Sequence, residues 1–202
     1  MTEPAIVLAS HNRGKLEELR ALLEPFDKRV IAASEYGLTE PAETETSFAG
    51  NARIKANHVA RHTGLPALSD DSGIEVDALA GAPGIHTADW AETPTGRDFV
   101  QAMTRTWRML EDRSVPEPRT ARFRCAICIA WPDGIDTVFE GEVAGRLVWP
   151  IRGGHGFGFD PMFRPDGEVM TFGEMPPERK QLLSHRTRAF ERFSAGCLGD
   201  AP

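Results

Sequence analysis

The types and spacing of two adjacent carboxylates, Asp70 and Asp71, point to chemistry. Like charges at such close range are unfavourable unless a cation lies beside them, and a hard divalent metal ion would supply that charge. Glu43, in an acidic loop, is a candidate third oxygen ligand for Mg²⁺. Because neighbouring strand residues point to opposite faces, one of the two aspartates alone would face the site. A solvated Asp-Asp-Ser-Gly turn is the alternative interpretation.

A polar loop at residues 10–15 joins a predicted strand to a predicted helix. The first turn of a helix presents free backbone N–H groups and a partial positive charge, which bind anions. Ser10 and Asn12 can donate side-chain hydrogen bonds. Gly14 allows close approach of the backbone, and Lys15 carries a charge suited to a phosphate oxygen. The spacing differs from that of a Walker A loop, so a phosphate site and an ordinary turn both remain open.

Further cationic side chains lie in separated segments of the chain, namely Lys55, Lys180, His185 and Arg186. Each alone would be an ordinary surface charge. The chain has 23 Lys and Arg against 30 Asp and Glu, for a net charge of -7. In such an acidic protein a polyphosphate needs a local pocket of convergent cations, and these residues could build one.

An aromatic segment, Phe157-Gly158-Phe159-Asp160, follows a glycine-rich stretch. Aromatic rings can stack on a planar base, and Asp160 can accept hydrogen bonds from ring N–H groups. The segment is therefore a candidate base site, or else a tight turn with two buried phenylalanines.

Hydrophobic periodicity and turn residues predict the elements that position these side chains. The predicted strands cover residues 5–9, 29–33 and 67–69, with a β-hairpin formed by residues 120–131 and 135–143. The predicted helices cover residues 16–23, 47–62, 97–110 and 177–193. Helices mixed with an early buried strand and a later hairpin indicate an α/β fold with a mixed sheet.

Length and composition exclude several classes of protein. With 202 residues, of which 41% are hydrophobic, the chain can bury a core without disulfides. No apolar run approaches the roughly 18 residues of a membrane span, and the acidic balance disfavours nucleic acid and anionic lipid. The first four residues lack the pattern of a signal peptide and the three cysteines are an odd count, which predicts a cytoplasmic location. Cys125 and Cys128 lie in a strand-like run, so buried thiols are expected rather than a redox or metal site.

Taken together and in this order, the motifs resemble those of the inosine triphosphate pyrophosphatase family, also called Ham1 or RdgB-like. The resemblance extends over nearly the full chain and rests on residues 10–15, 48–56, 68–76, 81–85, 156–161 and 184–186. It implies one domain over residues 1–202, with a long mixed sheet flanked by helices and two lobes around a central nucleotide cleft. It also implies a homodimer.

The resemblance implies Mg²⁺-dependent hydrolysis of non-standard purine nucleoside triphosphates (ITP, dITP and XTP) at the α–β phosphoanhydride. The products would be the nucleoside monophosphate and pyrophosphate, so that deaminated purines are removed before DNA or RNA incorporates them. The purine triphosphate would be the binding partner, with neither nucleic acid nor membrane bound.

The same resemblance implies a role for each site residue. The triphosphate would be bound by Ser10, His11, Asn12, Arg13, Gly14 and Lys15, with Lys55 nearby. The metal would be held by Glu43, Asp70 and Asp71, and Asp71 would also be the proton acceptor. The substrate would further contact Ser72, and its base and nearby phosphate would contact Phe157, Gly158, Phe159, Asp160, Lys180, His185 and Arg186.

The sequence departs from the family's usual pattern at a few positions. Glu45 stands where glycine is usual and Gly50 where glutamate is usual, so either Glu43 or Glu45 could serve the metal. Phe159 replaces a tyrosine, which keeps a ring but loses a hydroxyl, and His11 replaces a small residue.

Two other functions remain open. A Maf-like pyrophosphatase that acts on pyrimidine or modified nucleotides would have a related architecture. A non-catalytic module that senses triphosphates is the other, although a polyanion binder would not gather the carboxylates of Glu43, Asp70 and Asp71 without a metal.

Overall fold

The computed structural model describes residues 5–199. The first four residues, on which the expected absence of a signal peptide rests, lie outside this range. The strands are β1 (Ala5–Leu8), β2 (Arg29–Ala32), β3 (Ala67–Val76), β4 (Glu92–Thr93), β5 (Gly96–Arg97), β6 (Thr120–Ala130), β7 (Asp136–Leu147) and β8 (Phe163–Pro165). The helices are α1 (Arg13–Leu23), α2 (Phe48–Thr63), α3 (Phe99–Asp112), α4 (Pro177–Leu183) and α5 (His185–Cys197). Within residues 5–199, no helix is long and apolar enough to cross a membrane.

Six strands form one mixed sheet in the order β2-β1-β3-β6-β7-β8. β1 pairs in parallel with β2 and β3, whereas β7 and β8 are antiparallel. Strands β4 and β5 form a separate two-stranded sheet. The predicted α/β fold, with a mixed sheet flanked by helices, is confirmed.

Helix α2 shows how local chemistry sets the bounds of an element. The Ser47 hydroxyl caps its start by accepting a hydrogen bond from the Gly50 N–H. At its end, Gly64 takes the left-handed conformation that glycine adopts without strain. The predicted helix at residues 47–62 and the stop at Gly64 are confirmed.

Two elements differ from their predictions. The sequence predicts a brief strand ending at Ser69 followed by a turn, but β3 continues to Val76. Ile74 and Val76 are fully buried, and this packing outweighs the turn preference of the Asp-Ser-Gly residues. The predicted helix at residues 177–193 is two helices, because Ser184 adopts an extended backbone between α4 and α5, and serine favours such boundaries.

The chain divides into two compact units. Unit 1 comprises Met1–Asp71, Cys125–Gly141 and Arg186–Pro202, and unit 2 comprises Ser72–Arg124 and Glu142–His185. The core of unit 1 includes Leu8, Leu19, Leu68, Ile127 and Phe193. The core of unit 2 includes Ile74, Leu110, Phe123, Phe163 and Phe172.

Cys125 and Cys128 lie in β6 and are free thiols buried in the protein, as predicted. Burial raises the pKa of each thiol to about 12. Such thiols stay protonated at neutral pH, which disfavours redox and metal chemistry.

Candidate active site

The polar loop at residues 10–15 contains the start of α1. The Asn12 side chain caps the helix, because its Oδ1 accepts a hydrogen bond from the Lys15 backbone N–H at 3.1 Å. The Asn12 N–H in turn donates to the Ser10 hydroxyl oxygen at 3.2 Å. Gly14 and Lys15 lie in the first turn of α1, where a helix presents N–H groups that intrahelical bonds do not use.

Two loop side chains bind neighbouring protein groups. The His11 Nε2 lies 2.9 Å from the Leu38 carbonyl oxygen, and the His11 backbone N–H donates to Glu40. Arg13 is exposed and pairs with Glu17 at 2.7 Å, one helical turn further along. The roles of His11 and Arg13 in phosphate binding stay predictions.

Asp70 lies in the interior of unit 1 among cationic side chains. Its side chain has no exposed surface, and its Oδ2 lies 3.2 Å from the Lys15 Nζ and 3.0 Å from the Arg186 Nη2. The Arg186 Nε is 3.3 Å from the same oxygen, and Arg186 also pairs with Glu18. Burial opposes the charged carboxylate, but the neighbouring cations lower the pKa of Asp70 below its usual range. Lys15 and Arg186, both predicted to bind substrate, therefore meet at one buried carboxylate.

Asp71 has a different set of neighbours. Its Oδ1 lies 3.5 Å from the Lys55 Nζ, which is 2.5 Å from the Glu43 Oε1. Lys55 is buried rather than at the surface. Burial opposes its charge, yet the carboxylates of Asp71, Asp70 and Glu43 raise the pKa of Lys55. Burial also raises the pKa of Asp71. Glu43, Lys55 and Asp71 thus form a second group of charges in unit 1.

Asn51 is a site residue that the sequence predictions miss. It is buried, its Nδ2 donates to the Asp71 Oδ2 at 3.3 Å, and its Oδ1 accepts from the Glu45 N–H at 3.0 Å. One amide therefore links the acidic loop to Asp71. Asn51 lies four residues before Lys55, on the same face of α2, and this spacing is the signal that could have revealed it.

The exchange of glycine and glutamate at positions 45 and 50 has a steric explanation. A Cβ atom on Gly50 would lie 2.5 Å from the Glu45 Cβ, which is closer than real side chains approach. Residue 50 must therefore be glycine while Glu45 occupies this place. Glu43 contacts Lys55, and which of the two glutamates serves a metal stays a prediction.

The donor set of the site suits a hard cation. Within residues 5–199, no three His, Cys, Asp or Glu side chains are grouped to hold a metal ion, and the metal roles of Glu43, Asp70 and Asp71 stay predictions. Mg²⁺ needs only one or two protein carboxylates, since water and substrate phosphates complete its coordination. Glu43 and Asp71 supply carboxylate oxygens of the type that Mg²⁺ binds.

In unit 2, Asp160 and Lys180 form a buried ion pair. The Lys180 Nζ lies 2.7 Å from the Asp160 Oδ2, and the same oxygen accepts a hydrogen bond from the Phe157 N–H at 2.8 Å. The Lys180 Nζ also lies over the Phe157 ring, 4.7 Å from its centre. Three of the residues predicted to contact the base therefore touch one another.

The other predicted residues of unit 2 are mostly buried. Phe159 lies fully buried in the core, so its ring packs against other side chains. Gly158 has a left-handed backbone with φ 66°, which favours glycine. His185 is buried and stacks on Phe123, with ring centres 4.8 Å apart, and Ser72 is partly buried in β3. Contact of these residues with substrate stays a prediction.

Comparison with known proteins identifies the family. The model of the Ham1 family matches residues 6–195. This chain belongs to the Ham1 family. The dITP/XTP pyrophosphatase of Ruegeria pomeroyi is 60% identical over 194 residues, which cover 96% of this chain and 95% of that protein. The dITP/XTP pyrophosphatase of Agrobacterium fabrum is 52% identical over 204 residues, which cover 96% of this chain and 95% of that protein.

Solved Ham1 structures have the same fold. A HAM1 protein from Coxiella burnetii matches with a TM-score of 0.86 at 34% identity, covering 96% of this chain and 98% of that one. The Staphylococcus aureus Ham1 protein matches with a TM-score of 0.82 at 32% identity, covering 95% and 97%. The predicted family and fold class are confirmed.

Proposed function

We propose that this chain hydrolyses the non-standard purine nucleoside triphosphates ITP, dITP and XTP to the nucleoside monophosphate and pyrophosphate. The activity would remove deaminated purines from the nucleotide pool before they enter DNA or RNA. Membership of the Ham1 family and 60% identity to a dITP/XTP pyrophosphatase support the proposal.

The observation that carries the proposal is the convergence of Lys15, Lys55, Asp70 and Asp71 within unit 1. Cations neutralise the oxygens of a polyphosphate, whereas carboxylates repel a polyanion unless they hold a metal ion, pair with a cation or accept a proton. This combination suits hydrolysis of a phosphoanhydride, because a triphosphate sensor would not need both kinds of group.

The chemistry follows from the neighbours of each residue. Glu43 and Asp71 would hold Mg²⁺, whose charge offsets that of the phosphate oxygens. Lys15 and the start of α1 would bind the triphosphate. Asp71 would accept a proton from the attacking water, whose oxygen bonds to phosphorus as the α–β bridge breaks. Asn51 and Lys55 contact this carboxylate and would hold it in position.

The segment around Phe157 and Asp160 would contribute the contacts to the purine. Asp160 and Lys180 are a buried polar pair beside Phe157. Groups that hydrogen-bond a 6-keto purine would be left unpaired by the amino group of adenine, so we expect ATP to be a poor substrate.

The proposal extends to the whole protein. Residues 1–202 would act as one domain, and the protein as a homodimer in the cytoplasm, where the nucleotide pool is found. We propose the purine nucleoside triphosphate as the binding partner, because a net charge of -7 disfavours binding to nucleic acid or anionic lipid.

A substrate panel tests the proposed function. The purified protein is given Mg²⁺ with ITP, dITP, XTP, ATP, GTP, UTP or dTTP, and pyrophosphate and orthophosphate are measured separately. We expect pyrophosphate from the first three nucleotides and little product from the others. Faster turnover of UTP or dTTP would favour a Maf-like activity, and tight binding of ITP without turnover would favour a sensor.

The variant Asp71→Asn tests the residue at the centre of the mechanism. Loss of a proton acceptor is expected to lower kcat by about 10²- to 10⁴-fold. Asp136→Asn is the matched control, because Asp136 is an aspartate of unit 1 that pairs with Arg53 and Asn57. Unchanged activity in Asp71→Asn would contradict the role assigned to Asp71.

A further inference from the structure

Asp70 is placed differently from the other carboxylates of the site. Its side chain is fully buried, and its Oδ2 contacts cations from two helices, Lys15 of α1 and Arg186 of α5. Arg186 lies 116 residues away in the sequence. We propose that Asp70 is a positioning residue, which holds Lys15 and Arg186 for the substrate's phosphates, and that it is not a metal ligand. This inference rests on the proposed function.

The neighbours of the two aspartates separate their roles. Glu43 and Asp71 both contact the Lys55 ammonium, at 2.5 and 3.5 Å. Asp70 directs its Oδ2 to other cations, because neighbouring side chains of a strand point to opposite faces. Two positive side chains therefore already compensate the charge at this oxygen. A carboxylate with no exposed surface also leaves little room for the water molecules that Mg²⁺ retains.

Holding Lys15 in place has an entropic benefit. A lysine side chain has many rotamers, and fixing it when the substrate binds costs conformational entropy. The contact with Asp70 fixes the ammonium group beforehand, while 14% of the Lys15 side chain stays exposed. Preorganisation of this kind strengthens both binding and catalysis.

Asp70 lies in a network of opposite charges, to which Lys55 also contributes. The two cations Lys15 and Arg186 meet the two anions Asp70 and Glu18. Removing the Asp70 charge would leave both cations under-compensated in the interior, which favours their displacement. Loss of the Asp70 carboxylate would then affect the substrate only by displacing Lys15 and Arg186. A double-mutant cycle between Asp70 and one of these cations detects this dependence.

The test is a double-mutant cycle between Asp70→Asn and Lys15→Met, read as kcat/KM for pyrophosphate release from ITP. We expect each single variant to lose on the order of 10- to 100-fold. Because Asp70 acts through Lys15, the double variant is expected to lose much less than the product of the two losses. If the loss in the double variant equals the product of the two single losses, the effect of Asp70 does not depend on Lys15. That result would overturn the proposal.

Binding of Mn²⁺ in the absence of nucleotide, measured by electron paramagnetic resonance, is the second readout. Asp70→Asn is expected to bind Mn²⁺ as the wild type does, whereas Asp71→Asn is expected to bind it more weakly. Equal losses in the two variants would show that Asp70 holds the metal and would overturn the proposal.

Matched variants keep the two readouts interpretable. Asp136→Asn removes an ion-paired aspartate from the same unit and is expected to change neither readout. If circular dichroism shows that Asp70→Asn is unfolded, Asp70→Glu, which displaces the carboxylate by one methylene, enters both experiments with the same expectations. Wild-type protein that releases no pyrophosphate from ITP would contradict the proposed function, while Mn²⁺ binding would still test Asp70.

Discussion

Asp70 and Asp71 show how two neighbours of the same residue type acquire different properties. Burial opposes the charge of both carboxylates. At Asp70, Lys15 and Arg186 outweigh burial and lower the pKa, whereas at Asp71 burial outweighs the nearby cations and raises the pKa. The surroundings therefore shift the pKa values of the two carboxylates in opposite directions.

The lowered pKa of Asp70 predicts a pH-dependent contribution to stability. An aspartate whose pKa falls on folding stabilises the protein above its unfolded-state pKa of about 3.9, and this stabilisation is lost as the pH falls through the folded-state value. We expect Asp70→Asn to lower the free energy of unfolding by about 3–5 kcal/mol at pH 7. The difference from wild type is expected to shrink as the pH falls below about 4.

Urea denaturation of wild type, Asp70→Asn and Asp71→Asn at neutral and acidic pH measures this effect. Asp71→Asn is the comparison, because folding does not favour the charged form of Asp71, and its loss of stability is expected to be smaller. A pH-independent loss in Asp70→Asn, or equal losses in both variants, would contradict the assignment.

Asn51 is predicted to position Asp71 through its side-chain amide. Asn51→Leu removes the bonds to Asp71 and to the Glu45 N–H, and we expect kcat/KM for ITP to fall on the order of 10- to 100-fold. Asn57→Leu on the same helix is the control, because the Asn57 amide bonds instead to Asp136, and its kcat/KM is expected to be unchanged. Steady-state assays compare the two variants. Equal kcat/KM values in the two variants would contradict the positioning role of Asn51.

At the scale of elements, the segment between β7 and β8 depends on close contact between two stretches of backbone. Gly153 has φ 88°, and a Cβ atom there would lie 1.9 Å from the Gly173 carbonyl oxygen. The His155 N–H donates to the same oxygen at 2.9 Å. The segment that leads to Phe157 and Asp160 is therefore held by backbone packing that only glycine permits.

Replacing neighbouring glycines of this segment tests the backbone packing. Gly153→Ala combines a strained φ with a clash, and we expect it to lower the free energy of unfolding by more than about 2 kcal/mol. Gly154→Ala is the matched control, because a Cβ atom at Gly154 would meet no atom within 4 Å. Urea denaturation measures both variants, and a stable Gly153→Ala would show that the contact with Gly173 can relax at little cost.

At the scale of the whole molecule, the three cysteines of the sequence report on folding. Cys125 and Cys128 are buried with pKa values raised to about 12, whereas Cys197 is exposed. Because the thiolate is the reactive form, a thiol reagent at pH 7–8 is expected to label Cys197 alone in native protein and all three cysteines in denaturant. Mass spectrometry locates the label, and rapid native labelling of Cys125 or Cys128 would contradict their burial.

Local patterns and long-range contacts differ in how far they could be predicted. The helix over Phe48–Thr63 follows from its caps and periodicity, which are properties of neighbouring residues. The continuation of β3 through Asp70 and Asp71, and the break at Ser184, depend on packing that outweighs local turn and helix preferences. The contact of Asn51 with Asp71 is likewise not a local one, since the two residues are 20 positions apart.

The sequence by itself determined the family, the order of most elements and the set of chemically capable residues, because these follow from motifs and from spacing along the chain. The tertiary structure alone decided which carboxylate faces which cation. It sets Asp70 against Lys15 and Arg186, and Asp71 against Lys55 and Asn51. The physical reason is that burial and charge pairing depend on residues brought together from distant parts of the chain. The spacing of residues along the sequence does not specify the distances between their side chains in the folded protein.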